Sequence, residues 1–256
     1  MAFSTLQSSG SSMKNIQFAI DAVAHNIANV NTTAYKESKV NFASVVNSFS
    51  DNAKYSGTAV ASINPNFNQG GLKSTGQYTD LSLRGNGFFT LQDTTGEVVF
   101  SRDGHFKVDA ESTLVSADGN FVLSSGGGRI ILPTNATSIE INASGEVKYL
   151  AEGADQYQLL TQLQLATFIN PQGLEAIGGN QYRESLNSGV PEFTTALGTG
   201  TGAADTKIIS GTLESSNADL STNMVDLIAY QRSYQSVSKA VQTANDILET
   251  TLALKR

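Results

Sequence analysis

The sequence predicts an α+β chain: a helix at each end, the two paired in a coiled-coil-like domain, around a central antiparallel all-β domain. Three observations carry that expectation. Leu6, Met13, Ile16, Ile20, Val23, Ile27 and Val30 recur on a heptad spacing near the start, in alternating steps of three and four from Met13 onward. Leu220, Met224, Leu227, Tyr230, Tyr234, Val237, Val241, Ala244, Leu248 and Leu252 do nearly the same near the end. Between 80 and about 170 the apolar period falls to two, interrupted by glycine-bearing turns. Steps of three and four draw a narrow helical seam that requires a partner helix. Alternation marks strands with one buried face.

Residues 8–31 are predicted as the first helix, capped by Ser8 or Ser9 and ended by Asn29 and Asn31. Its polar face is Ser, Asn, Gln and Ala, so few i,i+4 ion pairs support it. Its stability must come from packing the apolar face. Residues 1–36 thus read as an N-terminal assembly segment. Residues 37–79 read as an extended connector. Its part from 51 is low in charge, rich in Asn, Gly and Ser, and holds Pro65 and Gly70-Gly71.

Residues 80–212 read as the central β domain. Strands are expected at 80–84, 87–92, 97–102, 105–109, 113–116, 120–124, 129–132, 138–142, 146–150 and 158–168. The turns Asp93-Thr94-Thr95-Gly96, Arg102-Asp103-Gly104, Ala117-Asp118-Gly119-Asn120 and Ala143-Ser144-Gly145 place Gly where a positive φ is expected. From 170 to 213 the pattern turns to loop, punctuated by Pro171, Gly173, Gly178-Gly179, Gly189, Pro191 and the run Gly198 to Gly202. Residues 213–256 read as the C-terminal assembly helix, capped by Asn217 or Asp219. No Gly or Pro interrupts it from 219 to 254.

A chain of 256 residues holds one large domain or two modest ones. Charged residues are 15% of it and the net charge is −7, which argues against nucleic acid or an anionic membrane as partner. The ends are nearly neutral: residues 1–40 sum to +1 and 214–256 to −1, so the middle carries the acidity. Neutral helical ends approach copies of themselves at little Coulomb cost. There is no Cys, hence no disulfide and no thiol chemistry. No signal-peptide pattern opens the chain. No apolar run approaches the length of a membrane span, so no membrane insertion is expected.

Catalytic motifs fare poorly. His25 and His105 are the two histidines, fall in different elements and have no Cys to help, so no metal is expected. Ser11-Ser12-Met13-Lys14 has the Ser-x-x-Lys spacing without its companion motifs. Gly85-Asn86-Gly87 and Gly198 to Gly202 fail the phosphate-loop and dinucleotide fingerprints. Asp118-Gly119-Asn120 lacks the closing Glu of a calcium loop. No catalytic residue, cofactor or enzyme activity is expected.

Several segments together resemble one family. They are His25-Asn26-Ile27-Ala28-Asn29-Val30-Asn31-Thr32-Thr33-Ala34-Tyr35-Lys36, Gln69 to Gly76, Asp80 to Phe89, Ser101-Arg102-Asp103-Gly104-His105-Phe106, Leu213 to Leu220, and Ala229-Tyr230-Gln231-Arg232-Ser233-Tyr234. They are similar to the bacterial flagellar axial proteins, the rod and hook subunits, with Asn26, Asn29, Asn31, Thr32, Tyr35, Lys36, Asn217, Gln231 and Arg232 as signature positions. The family's usual Gly at position 34 is Ala here, which argues against a positive φ at that point.

The resemblance implies a homo-oligomeric helical tube with a central export channel. Terminal helices line its inner shell through Met13, Ile16, Ile20, Val23, Ile27, Val30, Leu220, Met224, Leu227, Tyr234, Val237, Val241, Leu248 and Leu252. It implies a place in the basal body or hook, beside other rod, hook or junction proteins. It also implies passage from the cytoplasm through the flagellar type III export apparatus without signal cleavage. Chain length favours a torque-transmitting distal rod subunit. Met1-Ala2-Phe3-Ser4 and the short connector are hook-like, so a short hook protein, a universal joint, is the alternative. A secreted β-domain binding module is a third reading.

Overall fold

The structure, a computed structural model, describes residues 2–50, 53–153, 156–194 and 206–253. The expected loop at Gly198 to Gly202 lies outside them, as do the side chains of the seam residues Leu6 and Leu252. The chain divides into two compact units. The first holds residues 1–30, 37–66 and 218–256, and the second holds 31–36 and 67–217.

In the first unit, α1 runs Ala2–Ala28 and α2 runs Leu220–Ala253, a length of about 51 Å at 1.5 Å per residue. The helix α1 starts well before Ser8 and Ser9, because the heptad spacing already holds at Leu6. It stops where expected: the Asn29 N–H makes a last helical bond to the His25 carbonyl at 3.1 Å, and Asn29 Nδ2 donates to the same carbonyl at 2.9 Å. Asp219 caps α2, accepting the Ser221 N–H at 3.1 Å and the Thr222 hydroxyl at 2.7 Å. The two helices pack on each other.

The expected connector is something else. Strands β1 (Ser38–Ser50) and β2 (Ala53–Pro65) form a long antiparallel hairpin that packs on α1. Asn66 N–H closes its base on the Glu37 carbonyl at 2.7 Å. Asn15 Nδ2 joins it to α1 through the Thr58 carbonyl. Val40 and Phe42 alternate along β1 and stand opposite Ile63 and Val60 of β2, so the extended chain pairs with itself instead of only connecting.

The strands of the second unit pair antiparallel, with one turn of 3-10 helix at Pro171–Gly173. Its strands are β3 (Leu72–Ser74), β4 (Leu81–Arg84), β5 (Phe88–Gln92), β6 (Val98–Ser101), β7 (Phe106–Val108), β8 (Leu114–Ser116), β9 (Phe121–Val122), β10 (Ala136–Ile141), β11 (Glu146–Ala151), β12 (Gln158–Gln162), β13 (Leu165–Thr167), β14 (Glu175–Gly178), β15 (Gln181–Arg183), β16 (Glu192–Thr194), β17 (Lys207–Ser210) and β18 (Thr212–Glu214). A nine-stranded sheet runs β14-β15-β6-β5-β9-β8-β7, with β13 bridging β5 and β16. Three smaller ladders are β10-β11-β12, β17-β4 and β18-β3.

Both faces of β5 are covered. Phe89 and Leu91 join Leu81, Leu83, Val122, Leu165 and Ile208 in one cluster. Phe88 joins Phe100, Phe168, Leu174 and Tyr182 in another.

Three local expectations change. Residues 129–132 make isolated bridges rather than a strand. The expected strand 158–168 breaks at Leu163 and Gln164, because β12 pairs with β11 whereas β13 pairs with β5. The stretch from 170 to 213 is not loop alone: it supplies β14 to β18, and Ile208 of β17 reaches the main cluster at 1% exposure. Pro and Gly there punctuate very short strands, too short for period two to be visible.

Candidate functional site

The densest constellation of polar side chains lies in the second unit, around Glu214. Its carboxylate is wholly buried and takes three partners: Lys36 Nζ at 2.6 Å, the Gly70 N–H at 2.8 Å and Arg102 Nη1 at 3.8 Å. Lys36 also donates to the Asn68 carbonyl at 2.9 Å. The backbone repeats the pattern. Ala34 N–H donates to the Glu214 carbonyl at 2.8 Å, Asn217 N–H to the Tyr35 carbonyl at 3.3 Å, and Asn217 Nδ2 to the Asn68 carbonyl at 2.9 Å. Segments 31–36, 67–70 and 213–217, distant in sequence, are thus clasped by one carboxylate.

Backbone geometry makes the clasp possible. A side chain at Gly70 would overlap the Ser215 carbonyl, so only glycine lets its N–H reach Glu214. Ala34 is left-handed after all, at φ 55° and 1% exposure, contrary to the expectation drawn from its identity. The strain of about 1–2 kcal/mol is borne because its N–H has a buried acceptor. Gly104 departs the other way. It has no positive φ, and is required because a Cβ would overlap the Leu81 carbonyl.

The electrostatics are those of two cations sharing one anion. Burial lowers the Lys36 ammonium below its usual range, and Glu214 partly restores it. Burial likewise lowers Arg102, whose guanidinium lies 5.0 Å from the Phe88 ring centroid. Arg102 Nε and Nη1 and Glu214 Oε2 have no hydrogen-bond partner among the described residues. The neighbouring Tyr182 hydroxyl is raised by burial. Burial also raises Asp103, although the His105 N–H and the Thr33 hydroxyl point at it. This arrangement holds buried charge in place.

In the first unit, the buried stripe of α1 is Ala19, Ala22, Val23 and Asn26. Val23 belongs to the expected seam, and Ala19, Ala22 and Asn26 each stand one position before Ile20, Val23 and Ile27. Met13, Ile16, Ile20, Ile27 and Val30 are half-buried beside it. Small residues at the centre let the partner backbone approach, and the larger ones flank the contact. On α2, Leu227, Tyr230, Tyr234, Val237, Val241, Ala244 and Leu248 are half-buried, and Leu220 and Met224 are exposed. Phe18, Val225, Ile228 and Ile247 add exposed apolar surface.

One polar link crosses that packing. Asn26 Nδ2 donates to Asn223 Oδ1 at 3.1 Å and to the Ser38 carbonyl at 3.0 Å, and Ser38 N–H returns to Asn26 Oδ1. Asn223 Nδ2 reaches Glu37 Oε1 and the Asp219 carbonyl.

The signature positions therefore divide. Asn26 and Asn29 serve the helical unit, whereas Thr32, Tyr35, Lys36 and Asn217 lie at or beside the clasp. Asn31, Gln231 and Arg232 are exposed, with Arg232 beside Gln235, Ser236 and Lys239 on an open groove of α2. Sequence reasoning missed Glu214, Arg102, Gly70 and Asn223 as partners. For Glu214 and Arg102 the one signal was a charge inside a motif of a charge-poor chain; Gly70 showed only as half of a Gly-Gly pair, and Asn223 carried no signal.

His105 Nδ1 meets Asp80 Oδ1 at 2.9 Å, and His25 is exposed in α1. No acid or histidine cluster fit for a metal exists among the described residues. No helix among them is long and apolar enough to cross a membrane.

Comparison with known proteins covers the chain in three parts. Residues 6–36 match the profile of flagella basal body rod proteins, 82–149 the flagellar hook protein FlgE/F/G D1 domain, and 209–254 the flagellar basal body rod FlgEFG protein C-terminal region. The flagellar basal-body rod protein FlgG of Bacillus subtilis is 37% identical over 98% of this chain and 99% of its own length. FlgG of Borreliella burgdorferi is 31% identical, and FlgG of Caulobacter vibrioides 30%, each over 98% of both chains. Matched almost end to end by these proteins, the chain belongs to the flagellar basal-body rod protein family.

Proposed function

We propose that this protein is a structural, non-enzymatic subunit of the bacterial flagellar basal-body rod. The observation that carries the reading is full-length similarity to rod proteins, spanning both helices and the β unit. A hook subunit is less favoured, because the named relatives are rod proteins.

The finer reading is a self-assembling helical tube of the distal rod with a central export channel. Copies pair their terminal helices as coiled coils in an inner shell and meet other rod, hook or junction proteins at the tube's ends. The exposed apolar side chains of α1 and α2 support it, since a seam half-covered in one chain is completed by helices of others. Delivery through the flagellar type III export apparatus, without signal cleavage, belongs to the same reading.

Sedimentation and negative-stain microscopy of concentrated protein test it. Tubes or fibres are expected from the wild type. Ile20→Asp or Leu227→Asp places a carboxylate in every repeated helix contact and should abolish them while leaving the β unit folded. Normal tubes from Ile20→Asp would rule out the seam. A wild type that stays monomeric would rule out self-assembly.

A further inference from the structure

Two surfaces of the β unit remain unmatched among the described residues. Strands β4 and β17 expose two cations, Arg84 and Lys207, and no acid, and Lys73 is exposed on β3 of a separate ladder. Arg84 and Lys207 stand directly opposite each other across the β4–β17 ladder. Like charges at that position repel, and neither forms an ion pair among the described residues.

The second surface is apolar and acidic. The ladder that sets Thr167 opposite Glu192 runs on toward Ile169 and Val190, and Asn170 holds Asn187 and Ser188 by hydrogen bonds. Ile169, Leu186 and Val190 gather at this corner with exposures of 93%, 104% and 83%. Glu184 and Glu192 flank them, exposed and without an ion pair among the described residues. Three fully exposed large apolar side chains on one corner mark an interaction surface.

We infer that the cationic face of one copy docks on the acidic, apolar corner of the next copy of this chain. The inference rests on the polymer reading above and names the contact that repeats. Opposite charge, on two different surfaces of one chain, selects a second copy as occupant. Such a heterologous contact repeats into an open helical array rather than closing as a dimer. It also gives a reason for the repelling Arg84–Lys207 pair: the pair is neutralised only in the assembly.

The critical concentration for assembly of the full-length protein tests this, measured by sedimentation alongside the melting temperature of the monomer. Lys207→Glu faces Arg84 across the strands, so the monomer's melting temperature should hold or rise. Its critical concentration should nevertheless rise about tenfold, the signature of a lost intermolecular charge pair. Glu184→Lys with Glu192→Lys should act in the same direction. All three changes in one chain should return the critical concentration toward the wild-type value. If both charge reversals leave it unchanged while the wild type assembles, the contact is wrong and the polymer reading stands. A wild type that remains monomeric removes the polymer reading, and this contact with it.

Discussion

Replacing Glu214 by Gln removes one negative charge from a fully buried cluster while keeping the shape and an acceptor for the Gly70 N–H. Wild type holds two cations against one anion, Lys36 at 2.6 Å and Arg102 at 3.8 Å. After the change, both cations are buried with no counter-charge. Breaking a buried pair from one side costs about 3–5 kcal/mol. Against a typical total of about 5–15 kcal/mol, that is a large fraction. Removing the cation instead, by Lys36→Met, leaves Glu214 with Arg102 and Gly70, so it should cost no more than roughly half as much.

The double variant should cost less than the sum of the singles, because the two residues share one interaction. Urea unfolding reads this out through tyrosine fluorescence and circular dichroism, the chain having no Trp. The Glu214→Gln midpoint should fall by about 1–2 M. Hydrogen exchange should quicken at residues 31–36 and 67–70.

The pH dependence is a further check. The folded Lys36 pKa is already depressed below 10.5 by burial, and losing Glu214 depresses it more. Between the folded and unfolded values the unfolded chain binds more protons, so stability rises with pH there. The deficit of Glu214→Gln should therefore narrow as pH rises toward 10.5. A neutral-pH deficit under about 1 kcal/mol, the size of an ordinary hydrogen bond, would refute the clasp. So would a Lys36→Met cost equal to that of Glu214→Gln.

Four other changes probe separate links. Asn223→Ala leaves Asn26 and Glu37 short of a buried partner and should destabilise the helical unit by about 1–3 kcal/mol, read as faster exchange in α1 and α2. Asp103 has a folded pKa raised above 3.8 by burial, so the folded state holds its proton longer and stability contributed there falls as pH rises through that window. Asp103→Asn should then be no less stable at neutral pH and should flatten the profile just above pH 4, as thermal melts across pH will show. Gly104→Ala forces a Cβ onto the Leu81 carbonyl and should lower stability by several kcal/mol, whereas Gly96→Ala, in an open turn, should lose only about 1 kcal/mol, measured by the same urea titration.

The sequence by itself determined the two helices, the β character of the middle and most of its turns. These rest on short-range rules: a heptad repeat reads out the helix, and alternation with Asp-Gly or Ser-Gly reads out hairpins. The C-terminal end of α1 at Asn29 and the cap at Asp219 were visible for the same reason, since both act within four residues. Tertiary structure decided the rest. The link from Lys36 to Glu214 spans 178 residues and that from Asn26 to Asn223 spans 197, and no periodicity reports such pairings. The β1–β2 hairpin and the closing strands β17 and β18 stayed hidden because a strand gains its identity from a partner. Ala34 accepts a left-handed backbone because Glu214, far along the chain, receives its N–H. Local chemistry chose the elements; long-range hydrogen bonds and buried charge chose which of them meet.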